Sequence, residues 1–173
     1  RELAEVLAGL RKAEGGKVML EGKDITHAST LQRWQKGVGY IPSERIEVGT
    51  IGDFSLMENI MMNLYYDDGF SRLGILDDAK IRKHTAEIIA EYGVATPSLD
   101  TTAKSLSGGN LQRLILARVL SRQPRLLIAH LPTQGLDVGA TEYVRGMLLK
   151  QREEGAALLV VSEDLDEILS LSD

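Results

Sequence analysis

Leu106-Ser107-Gly108-Gly109-Asn110-Leu111-Gln112 opens an apolar run that continues to Leu120, and the reading of this stretch decides the fold. Ser107 is placed to cap a helix, its hydroxyl accepting from N–H groups that the first turn leaves unpaired. Gly108 and Gly109 then put bare backbone at the helix mouth, where an anion can approach without meeting a side chain. Helix-end N–H groups and the positive end of the macrodipole together make such a mouth a phosphate seat. The plainer alternative is a Ser-capped core helix after a glycine turn. The heptapeptide alone does not separate the two.

Downstream, Leu126–Leu131 reads as a continuous apolar strand of the kind covered by helices on both faces, followed by Pro132-Thr133 and Gly135-Leu136-Asp137. Asp137 can cap the next helix, whose inward stripe is Tyr143, Val144, Met147 and Leu148 and whose stop is Gly155. Ala157–Val161 reads as a second buried strand and Asp164–Leu171 as a terminal helix. Upstream, Leu3, Val6, Leu7 and Leu10 have helical spacing over residues 1 to 13, with Gly15-Gly16 as the stop. Val18–Leu20 reads as a strand, Glu21–Asp24 as a turn, Leu31–Lys36 as a helix and Val38–Ile41 as a strand that Pro42 closes. Gly15-Gly16-Lys17 is not a phosphate loop, because no Gly stands five residues before Gly16 and Val18 replaces the needed Ser or Thr.

Residues 42–53 read as a polar loop. Ser55 and Glu58 hold the reciprocal positions of a capping box, opening a helix with Met57, Ile60, Met61 and Leu64 on one stripe. The methionines read as core, the alternative being a pliable docking groove. Residues 69–74 read as a loop. Asp77–Tyr92 is an amphipathic helix with Ile81, Ile88, Ile89 and Tyr92 inward and Gly93 as its stop. His84 lies with Lys80, Glu87 and Glu91 on a face expected to be solvated. Thr96–Lys104 reads as a linker. Strands alternating with helices predict a mostly parallel α/β sheet, with residues 54–106 helical and inserted between strands.

Composition sets outer limits. A chain of 173 residues suffices for one domain with its own core. Its net charge of -5 gives no basic field and no electrostatic case for nucleic acid. Cysteine is absent, which excludes disulfides and Cys-based metal sites. No run of about 18 apolar residues exists to span a membrane, and residues 1–30 do not read as a signal peptide. Arg1 opens within a helical pattern and Asp173 follows no stop signal, so the chain reads as a fragment.

The order Leu-Ser-Gly-Gly, helix, apolar strand, Pro-Thr, Gly-Leu-Asp resembles the ATP-binding cassette (ABC) ATPases. Ser107–Asn110 match that family's signature motif, Leu126–Leu131 its Walker B strand and Gly135–Asp137 its D-loop. The resemblance implies a P-loop NTPase-like α/β fold: a three-layer parallel sheet with an inserted helical subdomain, truncated at the N-terminus before the Walker A region. The corresponding division is an α/β core of residues 1–53 and 107–173, with 54–106 as the helical subdomain.

The same resemblance implies a catalytic parts list that this chain does not fill. The phosphate loop is missing, and the family's Mg²⁺-side Asp and catalytic Glu positions hold His130 and Leu131. A neutral imidazole is a poor ligand for a hard cation, and Leu cannot accept a proton from water. The lid Gln position falls on Ser43 and the switch His position on Ser162. No catalytic residue and no metal ligand is therefore assigned. His130 reads most simply as a satisfied polar side chain at a strand end.

What survives is, by resemblance, the part that serves ATP on the other cassette of a head-to-tail pair: Ser107, Gly108, Gly109, Asn110 and Asp137. ATP would be contacted in trans, its Mg²⁺ held by the partner cassette. Asp137 has a helix-cap role as its plain alternative.

Pro42-Ser43-Glu44-Arg45, Asp53–Asn59, Gly135–Ala140 and Leu165–Asp173 look like the second, often degenerate cassette of bacterial importer ATPases for simple sugars, especially the nucleoside-type branch. The resemblance implies a second cassette fused upstream and transmembrane permease subunits docked beside residues 42–66. It further implies a peripheral position on the cytoplasmic face of the inner membrane. A non-transport regulatory or scaffolding module is the alternative. A parallel sheet lacking its phosphate-loop strand is expected either to pair Leu126–Leu131 directly with Ala157–Val161 or to have the slot filled by another chain.

Overall fold

The computed structural model describes residues 1–64, 69–72 and 75–172, without the side chains of Asn63 and Arg72. Its centre is a parallel sheet of β3 (Val38–Ile41), β6 (Leu126–His130) and β7 (Ala157–Val161), with β6 in the middle. Alternate residues of β6 serve opposite faces, as the pleat requires. Leu127 and Ala129 join one cluster with α5 (Gly108–Leu120), while Ile128 joins a second with Ala4 and Ala8 of α1 (Glu2–Ala8). All three β6 residues are 0% exposed. Helices on both faces give the three layers and the α/β class that the alternation of elements predicts.

β6 and β7 pair directly over the register Leu126↔Ala157 to His130↔Val161, the first of the two expected outcomes. No slot separates them. β7 lies at the sheet's edge, and Leu158–Val161 are half-buried rather than fully buried. The expectation of a second fully buried strand is corrected by that edge position.

The N-terminal helix is shorter than the leucine spacing suggests. It stops at Ala8, and Gly9 takes φ 82°, with the N–H groups of Gly9 and Leu10 donating to the Val6 and Glu5 carbonyls. That left-handed closure is a glycine C-cap. Leu3 and Leu10 are 61% and 52% exposed, and the small Ala4 and Ala8 face the core instead. Arg33 explains the early stop. Its guanidinium donates to the carbonyls of Val6, Leu7, Thr26 and Ala28 at 2.7–3.1 Å, satisfying groups that the helix end leaves open.

Lys23-Asp24, read as part of a turn, is β2, the return strand of a hairpin with β1 (Met19–Leu20). α2 (Thr30–Gln35) begins at a capping box formed by Ser29 and Gln32. The polar loop after Pro42 contains a single π-helical turn, Arg45–Gly49. Ser55 and Glu58 make the expected capping box at the start of α3 (Leu56–Leu64). Ile60 and Leu64 are buried, whereas Met57 and Met61 are half-buried. Within the expected 69–74 loop, β4 (Ser71–Arg72) pairs antiparallel with β5 (Ile75–Leu76); residues 73 and 74 lie outside the described residues, as do 65 and 66 of the expected docking groove.

α4 (Asp78–Glu91) buries Ile81, Ile88 and Ile89 as its pattern predicts, with Tyr92 behind them. His84 is not on an open face: its ring lies 4.9 Å from that of Phe70. The 96–104 linker is ordered by pairing. Leu99 and Thr101 accept from the first N–H groups of α3, and Ala103–Ser105 forms a 3₁₀ turn. α6 (Val138–Glu153) buries Val144 and Leu148, half-buries Tyr143 and Met147, and is followed by Gly155 at φ 97°. α7 (Leu165–Leu171) starts from an Asp164 cap. Among the described residues no helix is long and apolar enough to cross a membrane.

Candidate functional site

Ser107 caps α5, its Oγ accepting from the Asn110 backbone N–H at 3.4 Å and from Asn110 Nδ2 at 3.2 Å. Asn110 Oδ1 in turn accepts from Ala95 N–H at 3.0 Å. The Asn110 amide is therefore spent inside the chain, where it orients the helix mouth against the segment after α4. Gly108 has no heavy atom within 4 Å of the position a Cβ would occupy. A Cβ on Gly109 would meet Ala140 Cβ at 3.4 Å, which sets the mouth against the first turn of α6. Asp137 caps that helix, Oδ1 accepting from Ala140 N–H at 2.8 Å.

The five residues singled out by sequence thus fall on two neighbouring helix starts. Neither Gly108 nor Gly109 N–H finds a protein acceptor among the described residues. Two unpaired donors at an unobstructed, positively polarised helix end fit an anionic oxygen. The phosphates of a nucleotide suit this mouth.

A separate cleft of about 370 Å³ gathers Ser43, His130, Leu131 and Glu163. His130 ends β6 and is 5% exposed, with Nδ1 3.1 Å from Ser43 Oγ. Burial pushes the imidazolium below its ordinary pKa, Arg1 acting in the same direction and Glu44 and Glu5 against it. Leu131, expected to be the last strand residue, has left the strand: it sits at φ 48° while its N–H still donates to Val161 O at 2.8 Å. Ser162 turns to its own loop, its Oγ accepting from Asp164 N–H at 3.0 Å.

Three of the four substituted positions therefore share one wall of a cleft, and their donor set does not suit a hard cation. One imidazole nitrogen is already matched to a hydroxyl, and Leu131 offers no ligand atom. Among the described residues no group of three or more His, Asp or Glu side chains gathers to hold a metal ion.

Arg45 enters the reading of the sequence only as part of the stretch Pro42–Arg45, and the ties it makes do not enter it. Its Nε donates to Gln112 Oε1 at 2.9 Å and an NH2 donates to Gln134 O. One side chain therefore ties the π-turn to the signature helix and to the turn before Asp137. Gln112 is 1% exposed, and its Nε2 has no hydrogen-bond partner. The available signal was that Arg45 is the one cation between residues 42 and 53. On the outer side of the same loop Ile46, Val48, Ile51 and Phe54 remain 38–52% exposed.

Comparison with known proteins places this geometry in context. The profile of the ABC transporter family matches residues 2–134. A glucose import ATP-binding protein of Haloferax volcanii is 45% identical over 175 residues, covering 100% of this chain and 32% of that protein. A guanosine import ATP-binding protein of Bacillus subtilis is 44% identical over 172 residues, covering 99% of this chain and 34% of that protein. The chain thus spans about a third of the length of the curated relatives it matches.

Among solved structures, the dimeric, post-hydrolysis ATP-binding cassette MJ0796 bound to ADP and Pi superposes with a TM-score of 0.76 at 22% identity, over 96% of this chain and 70% of that one. A nucleotide-free cassette from an ABC transporter gives 0.74 at 21%, over 99% and 69%. At such identity these structures speak for the fold alone.

Proposed function

The chain belongs to the ABC transporter family, and from that premise we propose that it serves an importer of sugars or nucleosides as a non-hydrolysing cassette. Ser107, Gly108 and Gly109 would contact the terminal phosphate of ATP held by a partner cassette, with Asp137 facing that partner's site and Mg²⁺ held by the partner. Asn110 would act one step back, holding the mouth in place through Ala95. The names of the matched relatives, importers of glucose and guanosine, favour transport over a scaffolding role.

The observation that carries the reading is a contrast between a helix start and a strand end. The α5 mouth is unobstructed and keeps two unpaired donors. The β6 terminus, where the family's ion-side and base carboxylates stand, presents His130 and Leu131. An oxyanion can be bound at the first, while the second can neither ligate a hard cation nor deprotonate water. Phosphoryl transfer depends on positioning and charge stabilisation, and this chain can supply only part of that.

The exposed apolar side chains of Ile46, Val48, Ile51 and Phe54 would seat a permease loop, and the assembly would then sit peripherally on the cytoplasmic face of the membrane. Residues 54–106 would form the helical subdomain beside an α/β core of 1–53 and 107–173. The greater length of the relatives leaves room for a second cassette upstream.

The test is a chimera in which this chain replaces the aligned 172-residue segment of the B. subtilis guanosine import protein. Gly108→Asp sets a carboxylate in open space at the mouth, so the fold should hold while phosphate is repelled. ATP turnover should persist in the chimera and fall by about 100-fold or more in the variant, the scale of losing a charge-stabilising donor. Equal turnover in the two proteins would refute the proposal.

A further inference from the structure

A further cavity lies away from both of these sites. A space of about 640 Å³ opens along β3, between α2, the β1–β2 hairpin and the turn after α5. That volume is within the range that holds small ligands, and the outer edge of β3 has no strand neighbour among the described residues. Its wall carries Lys23, Lys36, Arg118, Arg122 and Arg125 but a single carboxylate, Glu21. This is a local reversal of sign in a chain whose net charge is -5.

Glu21 is engaged by Arg125 at 2.5 Å. Lys23 and Lys36 are exposed and make no salt bridge to any described carboxylate. The Arg122 guanidinium lies 3.7 Å from the Trp34 ring centroid, a stacking that fixes both planes at the cavity wall. Ammonium groups beside planar guanidinium forks match an oxyanion with several acceptor oxygens, and the indole offers an apolar surface for the rest of the molecule.

We propose that this cavity binds a phosphate-bearing small molecule, a nucleotide or a sugar phosphate, at a site separate from the α5 mouth. The shared chemistry is a phosphate group held by Lys23 and Lys36 beside the Arg122–Trp34 stack. Gly108 does not line the cavity, so the two sites can fail independently.

Trp34 is the sole tryptophan, and its emission therefore reports this cavity alone. The chain would be titrated with inorganic pyrophosphate, with ATP in the absence of Mg²⁺ and with glucose 6-phosphate, using glucose as the uncharged control. A saturable change with pyrophosphate and either organic phosphate, weakening as KCl is raised, is expected. The organic phosphate that binds more tightly identifies the source. Lys23→Gln with Lys36→Gln should weaken binding roughly tenfold, since two exposed charge contacts are lost, and Gly108→Asp should leave it unchanged. No saturable change with any phosphate probe, or an unaltered affinity in the double lysine variant, would overturn the proposal.

Discussion

Arg45 is the residue on which three segments depend, because Gln112 and Gln134 have no other shared partner in that corner. Removing it leaves the buried Gln112 amide with neither of its polar atoms paired. Arg45→Ala should therefore cost about 1–3 kcal/mol, the penalty of an unsatisfied buried acceptor, read from the urea midpoint. Adding Gln112→Leu should return part of that loss by removing the orphaned group. Unchanged stability in Arg45→Ala would show that the contact contributes nothing.

His130 gives a pH signature whose sign follows from its burial. Its folded pKa lies below the unfolded value, so between the two the unfolded chain binds more protons. The stability it contributes is present above pH about 6.5, the ordinary imidazole value, and is lost as the pH falls through the folded pKa. Replacing His130 with Gln should flatten the decline in melting temperature between about pH 7 and pH 5. A decline as steep as in the unsubstituted chain would remove His130 from the account. Ser107, Gly108 and Asp137 were legible because caps and glycine mouths are local patterns. The Arg45–Gln112 pair was not, since its partners are 67 residues apart and no periodicity carries that information.

Among the elements, α1 shows where pattern reading fails. The leucine spacing extended the helix to residue 13, but the chain had an earlier stop at Gly9, held by Arg33 from another helix. Arg33 is 2% exposed and serves four carbonyls. Arg33→Met keeps most of the side-chain volume but abandons those acceptors. It should destabilise the chain by about 3 kcal/mol or more, seen as a lower urea midpoint, and a loss below about 0.5 kcal/mol, the scale of a neutral surface change, would contradict this role. By contrast, α4 and α6 were legible almost to the residue, because an Asp cap at one end and a glycine just beyond the other bracket a clean 3.6-residue stripe. The β4–β5 pair and the return strand β2 were missed because two-residue strands carry no alternation to read, whereas β1 falls within the expected strand Val18–Leu20.

For the molecule as a whole, the α/β class followed from apolar strands separated by amphipathic helices, and the sheet bears it out. For the last two strands, direct pairing was one of the two expected outcomes, and the pairing of β6 with β7 bears it out. In the structure β6 is the centre and β7 the edge, with the α5 mouth and the His130 cleft as separate features of the folded chain.

Vanadate trapped with Mg²⁺ and ATP occupies the place of the terminal phosphate, and ultraviolet light then cleaves the polypeptide that touches it. Applied to the guanosine-protein chimera and mapped by mass spectrometry, this measurement should show a cut in this chain at Ser107. A cut at Ser43 or beside His130 instead would contradict the account.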